Sequence, residues 1–413
     1  MSFPVLHAHD YYVQRGGEDA SFEAERRLLE DRGHRLATYV RHNTEIEESA
    51  VVRTPLPATL IWSSRAHREL RALLARERPA VAHFQNTFPL ISPSAYDACR
   101  AEGVPVVQSL RNYRLICPSA ILFRDGRVCE DCVGLRVPWP GVAHACYRQS
   151  RAQSAAVAAM LAVHNARRTW HDRVDLYVAL TQFARRKLVE GGLPAGRIAV
   201  KPNFVVDPGG PSPVPERGAI LYVGRLSPEK GVEDLMRAAA RLHAVERVRI
   251  AGDGPDRPRL EAMGRAAFLG ALRAEEVIEE MRRATVVVVP SRWYETFGRV
   301  VVEAFACGRP VVVARHGALA ELVEEGRTGF GFAPGSADEL AAALERAFAD
   351  GVRMGPEARR AYEERYRPEL NYRMMMGIYR LALERAGKRV PDSLRAFAPA
   401  DPARSPFDWV RDA

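Results

Sequence analysis

Short apolar runs separated by longer stretches of three-to-four-residue periodicity recur along this chain. In the first half, runs at 4–7, 34–40, 80–84, 104–110 and 174–180 predict strands, and helical patterns fill 18–31, 63–77, 93–102 and 151–170. Strands that alternate with helices imply a parallel sheet covered on both faces. Residues 114–149 interrupt the alternation with cysteines, prolines and glycines, and read as an elaborated loop. Pro208, Gly209, Gly210, Pro211, Pro213 and Pro215 then mark a linker. The alternation restarts with strands near 219–223, 247–251, 266–269, 285–289, 310–314 and 329–332. The expected organisation is α/β. A first domain spans 1–206 and carries the 114–149 loop, a linker spans 207–217, and a second domain spans 218–367. A helix at 368–389 packs back towards the first domain, and a tail at 390–413 is mobile or ordered on contact.

With 413 residues, of which 47% are hydrophobic and 27% charged, the chain can bury a core without disulfide or metal staples. That mix excludes collagen-like, coiled-coil and fully disordered classes. The net charge of +9 is unevenly placed: residues 51–200 hold 21 basic and 10 acidic side chains, whereas 201–350 hold 20 and 22. Lysine occurs only at Lys187, Lys201, Lys230 and Lys388. An anionic partner for the basic half stands beside the plainer reading of a solvated arginine face. The longest apolar run, 155–163, is too short to span a bilayer, and no basic segment precedes an apolar one at the start. A cytoplasmic location, with the inner membrane face as a contact surface, is therefore expected. One basic amphipathic stretch, 62–78, carries Arg65, Arg68, Arg71, Arg76 and Arg78 beside Trp62, Leu70, Leu73 and Leu74. It suits either a membrane-surface helix or an ordinary solvated one.

Cys117, Cys129, Cys132 and Cys146 follow the spacing C-x11-C-x2-C-x13-C. That pattern fits a structural zinc site, with buried free thiols as the alternative. No phosphate loop of the G-x4-G-K-[ST] type occurs, and Gly252-Asp253-Gly254 lacks the third glycine of a dinucleotide fingerprint. Two strand–loop–helix junctions in the second half are more informative. After the strand at 219–223 come Gly224, Arg225 and Lys230, a close-approach glycine followed by two cations suited to phosphate. After the strand at 285–289, Glu295 falls in a loop and Glu303 one turn inside a helix predicted over 299–307. The amides of Phe297, Gly298 and Arg299 between them are free to bind an anion.

Glu295-x7-Glu303 with Phe297-Gly298, together with Gly224-Arg225-x4-Lys230, resembles the retaining GT-B glycosyltransferases of family 4. The likeness extends through Gly16-Gly17-Glu18, His83 to Asn86, Cys117-Pro118, Pro202-Asn203, Gly252-Asp253-Gly254-Pro255, Phe268-Leu269-Gly270 and Gly317 to Glu321. It implies two Rossmann-like domains facing each other across a cleft. It also implies metal-independent transfer of a sugar from a UDP or GDP donor, with retention at the anomeric carbon. By the same resemblance Arg225 and Lys230 neutralise the diphosphate, Glu295 lies by the donor sugar and Glu303 holds the ribose. Phe297, Gly298 and Arg299 face sugar or phosphate, and Arg273 contacts the base.

Gly16 and Gly17, able to take positive φ, come close to phosphate and acceptor, and Glu18 caps the next helix. His83, Asn86, Arg111 and Asn112 belong to the acceptor side. Arg111-Asn112 replaces the family's His-Asp, and arginine cannot accept a proton. Arg111 is expected instead to hold an anionic acceptor or help position the donor. The acceptor itself is expected to be acidic, phosphorylated or lipid-linked. A nucleotide-sugar epimerase or hydrolase on the same scaffold is the alternative enzyme. An arginine-rich nucleic-acid-binding protein is disfavoured, for want of a helix-turn-helix, an aromatic RNA-binding run or a basic tail.

Overall fold

A strand buried along its whole length belongs to a sheet covered on both sides, and strands in both halves of this chain are of that kind. The computed structural model describes residues 3–14, 16–48, 56–216, 218–242, 248–264 and 266–411. The strands are β1 (Val5–Tyr11), β2 (Leu36–His42), β3 (Val81–Phe84), β4 (Val106–Leu110), β5 (Phe123–Arg124), β6 (Arg127–Val128), β7 (Leu176–Ala179) and β8 (Ile198–Val200). They continue with β9 (Ala219–Val223), β10 (Val248–Ala251), β11 (Ala267–Gly270), β12 (Ala284–Val289), β13 (Val311–Ala314) and β14 (Gly329–Phe332). Every residue of β1, β3, β4, β7 and β8 is buried, whereas β2 alternates buried with more open positions. β2 lies at one edge of its sheet, and β8, buried throughout, lies at the other.

The chain forms two compact units. One comprises Met1–Ile121, Glu130–Pro202 and Glu369–Ala413; the other comprises Leu122–Cys129 and Asn203–Pro368. The first unit holds a six-stranded sheet in the order β2-β1-β3-β4-β7-β8, parallel throughout. The second holds a six-stranded parallel sheet in the order β11-β10-β9-β12-β13-β14. In each sheet the chain first builds outward on one side and then crosses to the other. The crossing falls between β1 and β3 in the first unit and between β9 and β12 in the second. In open parallel sheets ligands bind beyond the carboxyl ends of the strands at such a switch point.

Both covering layers come from amphipathic helices. In the second unit Leu235, Met236, Leu340 and Leu344 pack with Ile220, Ile250 and Val288 in one buried cluster. Leu340 and Leu344 belong to a 29-residue helix, Ala337–Arg365, capped by Ser336. In the first unit the basic stretch at 62–78 forms the helix Ser64–Glu77. Its apolar side, Ala66, Leu70 and Leu74, is buried, and the helix packs against Ser94–Ala101. Arg65, Arg71 and Arg76 pair with Glu69, Glu102 and Glu77. The element that resembled a membrane-surface helix thus uses its apolar stripe for the core.

Two boundaries also differ from the sequence expectation. The turn-rich residues 207–216 are tied into the second unit, where Arg309 is fully buried with no carboxylate partner among the described residues. Its guanidinium donates to the carbonyls of Ser212 (2.8 Å), Met281 (3.0 Å) and Arg282 (2.7 Å). Thr285 Oγ1 donates to Pro215 O (2.6 Å), and Asp207 pairs with Arg359. At the chain end, 390–411 folds onto the helix Pro368–Arg385: Arg380 donates to Phe397 O, and Ala400 N–H to Gly377 O.

Arg309→Ala would leave these carbonyls without their donor. It is expected to lower the unfolding free energy of the second unit by about 3 kcal/mol or more. Urea unfolding measures this, and a wild-type midpoint would show that the clamp contributes nothing.

Candidate donor site and the buried cluster of the first unit

At the switch point of the second unit, β9 runs into Gly224 and Arg225, and β12 into Pro290, Ser291 and the loop that carries Glu295. The loops after β9 and β10 touch through their backbones. Gly224 N–H donates to Ala251 O (3.0 Å), Leu226 N–H to Asp253 O (2.9 Å) and Asp256 N–H to Leu226 O (3.0 Å). A Cβ on Gly252, where φ is +149°, would lie 1.8 Å from Gly224 O. Gly231 is equally constrained: its φ is +68°, and a Cβ would lie 2.1 Å from Pro290 O. The glycines therefore set the spacing between neighbouring loops.

Within this frame Lys230 Nζ lies 2.8 Å from Glu295 Oε1 and 5.0 Å from the centre of the Trp293 ring. Ser291 Oγ donates to the same carboxylate (2.8 Å), and His316 Nε2 donates to Ser291 O (2.8 Å). Burial alone would raise the Glu295 carboxyl; Lys230 and Ser291 outweigh it and hold it below the ordinary carboxylate range. Burial lowers the His316 imidazole below its ordinary range. Arg292 is occupied with the buried Asp234, Nε to Oδ2 at 2.7 Å. Arg225 is exposed and makes no salt bridge with any described residue.

Gly298, at φ +105°, opens the helix Arg299–Ala306, whose first amides have no partner inside the helix. Phe297 is buried against Tyr366. Glu303 lies on that helix and accepts from Arg299 Nε at 2.7 Å. Lys230, Glu295 and Ser291 are thus brought into direct contact, with Arg225 on the β9 loop. Arg273 lies after β11, two strands from the switch point. There its exposed side chain pairs with Glu276 beside a pocket of about 500 Å³. Ser291 and His316, which support Glu295, carried no spacing signal of their own.

Around the first unit's switch point, the acceptor-side residues are placed differently from expectation. Arg111 is turned into the interior, 5% exposed, with Nη2 3.0 Å from Glu25 Oε1 and Nε donating to Gln85 Oε1 (2.7 Å). Lys201 Nζ reaches the same Glu25 oxygen at 2.7 Å, and Gln85 donates to Oε2 at 2.6 Å. The physical reason is charge: a carboxylate this deeply buried needs cations, and Arg111 supplies one. Burial would raise Glu25, but Lys201 and then Arg111 drive it far below the ordinary range.

His83 is buried between Tyr379 Oη (2.8 Å) and Ser109 Oγ (2.9 Å). Asn86 caps the backbone, donating to Asp10 O at 2.8 Å. Both side chains are engaged inside the first unit. Asn112 stays closer to the surface and donates to Glu18 Oε1 (2.9 Å), while Tyr12 Oη donates to Glu18 Oε2 at 3.2 Å. Gly16 and Gly17 open the helix Gly17–Asp31 without positive φ and with open space around them. The cap is Asp19 rather than Glu18: it accepts from Gly16 N–H (2.9 Å) and from His9 Nε2 (2.8 Å).

His7, Glu25 and His83 hold ligand atoms within 4.8 Å of one another, the one such group among the described residues. Arg111 and Lys201 already neutralise that carboxylate, so the trio is an ion-pair cluster and repels a metal cation. The four cysteines expected to bind zinc form no such group. Cys117 Sγ lies 3.1 Å from Ser119 Oγ, Cys132 Sγ lies 3.9 Å from Pro138 O, and Cys129 and Cys146 are half-buried.

Arg111→Ala leaves part of the Glu25 charge uncompensated and is expected to reduce stability by about 3–5 kcal/mol. Chemical denaturation checks it; an unchanged midpoint would place Arg111 outside the cluster's energetics. Burial pushes the His83 imidazole from 6.5 down to about 3, so it remains neutral in the folded protein where the unfolded chain takes up a proton. Its contribution is constant above pH 6.5 and turns unfavourable as pH falls below that value. His83→Gln is therefore expected to flatten the acid limb of the unfolding midpoint, in a pH series run beside the wild type.

Comparison with known proteins agrees with this architecture. Residues 16–207 match a family model described as Glycosyltransferase Family 4, and residues 217–350 one described as Glycosyl transferases group 1. An uncharacterized glycosyltransferase of Methanocaldococcus jannaschii is 34% identical over 182 residues, 41% of this chain and 46% of that protein. An alpha-D-kanosaminyltransferase of Streptomyces kanamyceticus is 36% identical over 163 residues, covering 37% and 41%. Both alignments span less than half the length of the relative. Among solved structures, Anabaena HepE with UDP and glucose superposes with a TM-score of 0.63 at 21% identity, covering 90% of this chain and 98% of its own. Sucrose-phosphate synthase from Thermosynechococcus elongatus gives 0.68 at 18% identity, covering 92% and 99%. Two matched halves in family order, each on a six-stranded parallel sheet, place the chain among the GT-B glycosyltransferases.

Proposed function

We propose that the chain transfers a sugar from a nucleotide-diphosphate sugar to an acceptor hydroxyl, with retention at the anomeric carbon. The observation that carries this reading is the Lys230–Glu295 contact at the β9/β12 switch point, with Arg225 on the β9 loop. The reaction breaks the bond between the anomeric carbon and the diphosphate. Negative charge then collects on the departing phosphate, and preorganised cations and amides are what lowers its energy. Lys230 moves from Glu295 to the phosphate, Arg225 forks onto it, and the amides at Gly298 and Arg299 face it. Glu295, released from its lysine, accepts from a sugar hydroxyl. Glu303 accepts from the ribose. With these groups in place, charge neutralisation calls for no metal ion.

The solved HepE structures hold UDP and UDP-glucose, which favours a uridine donor here. The acceptor chemistry expected is glycan, glycolipid or natural-product assembly. Arg111, buried against Glu25 and Gln85, supports the reaction as a positioning residue at the first unit's switch point.

UDP-glucose is expected to raise the melting temperature more than GDP- or ADP-glucose. Lys230→Ala is expected to weaken its binding roughly 10–100-fold, the worth of a charge-assisted contact. If no nucleotide sugar stabilises the wild type, the donor-site reading fails. Early-time NMR of the sugar released into water is expected to show the donor's own anomeric configuration; the opposite anomer would overturn retention.

A further inference from the structure

The 114–149 loop carries an apolar surface that neither the donor site nor the core uses. Leu135, Val137 and Trp139 are 39%, 53% and 63% exposed, three large hydrophobic side chains within five residues. The prolines next to Trp139 point the other way: Pro138 and Pro140 are buried. The segment is mounted firmly. A Cβ on Gly141 would lie 2.7 Å from Pro118 Cγ, so the backbone sits directly on that ring. Cys146 N–H donates to Gly141 O (2.9 Å), and Asn165 Nδ2 donates to Arg136 O (3.0 Å). A surface apolar cluster held on a buried frame is an interaction site rather than a loose loop.

Charge decides what it meets. From Cys132 to His171, forty consecutive residues contain no aspartate or glutamate but five arginines: Arg136, Arg148, Arg151, Arg167 and Arg168. Arg168 pairs with Asp172. Arg136, Arg148, Arg151 and Arg167 make no salt bridge with any described residue, and the first three are exposed near the apolar cluster in the chain. The contrast with the helix Ser64–Glu77 is direct, since that helix buries its apolar side and pairs its arginines with glutamates. An exposed tryptophan prefers the boundary between hydrocarbon and headgroup, and exposed arginines without a carboxylate partner, close to it in the chain, are drawn to anionic lipid.

We infer that Leu135, Val137 and Trp139, flanked by Arg136, Arg148 and Arg151, dock the first unit on an anionic phospholipid surface. The apolar side chains enter the headgroup layer and the arginines lie over the phosphates. This interaction does not depend on the chemistry of the donor site, and each can be tested without the other.

Co-sedimentation of the full chain with vesicles tests it. Binding is expected to phosphatidylcholine vesicles containing phosphatidylglycerol, much less to phosphatidylcholine alone, and less at higher salt. Val137→Ser with Trp139→Ser is expected to lower partitioning by about tenfold or more. Arg136→Gln, Arg148→Gln and Arg151→Gln are each expected to lower it by about fivefold. Val352→Ser, at an exposed apolar position of the second unit, is expected to change nothing. Melting temperatures equal to wild type confirm that the variants fold. Failure of the wild type to bind anionic vesicles overturns the inference, as does undiminished binding by the Val137/Trp139 variant. A concentration-dependent dimer abolished by the same two substitutions would assign the patch to a second copy of the chain and likewise overturn it.

Discussion

All strands of each six-stranded sheet point the same way, and the placement of every loop in the molecule depends on that single constraint. A parallel strand pair cannot be closed by a tight turn, so every strand is followed by a helix-length return. Every return leaves the sheet from one edge and re-enters at the other. All loops that come after strands therefore gather along one edge of each sheet, and where the chain reverses its direction of building, two of them part. In the second unit that parting brings the loop after β9 and the loop after β12 to the same place, although about sixty residues separate them in sequence. Lys230 meets Glu295 for that reason alone.

The two switch points have been put to opposite electrostatic uses. In the second unit the Lys230–Glu295 pair is partly exposed, and solvent or a ligand can exchange with either partner. In the first unit Glu25, Arg111 and Lys201 are almost wholly buried. A buried pair of this kind stabilises little relative to an apolar core but is severely missed when half of it is removed. One pair is therefore open to solvent and the other closed to it. The C-terminal helix joins the closed one, as Asn371 accepts from Lys201 and Tyr379 meets His83.

Much of this was legible in the chain. The apolar runs gave their strands because buried parallel strands have no polar face to obscure them. The motif around Gly224, Lys230, Glu295 and Gly298 stood out because each residue sits at a strand end or helix start. What stayed hidden involved pairing across long separations. Nothing near Arg111 announces Glu25, 86 residues away, so an arginine beside a presumed acceptor site read as a substrate ligand. The strand Ile198–Val200 is only three residues long, below the length at which a pattern can be seen. The cysteine spacing suggested a metal, but spacing records only order along the chain, whereas ligation depends on where the sulfurs lie in space. Residues 62–78 kept two readings for a related reason: hydrophobicity and positive charge mark a membrane-surface helix and a solvated one alike, and only the burial of Ala66, Leu70 and Leu74 tells an inward stripe from an outward one.

The backbone contact at Gly252 and Gly224 limits how this protein can change over time. Because the two loops touch carbonyl to α-carbon, neither can lengthen, shorten or gain a side chain at that point without separating the strands beneath. A change of ligand preference at this point is therefore expected to run through side chains that project from a fixed backbone, such as Arg225 beside Gly224. In this unit the scaffold is frozen so that its chemistry can vary.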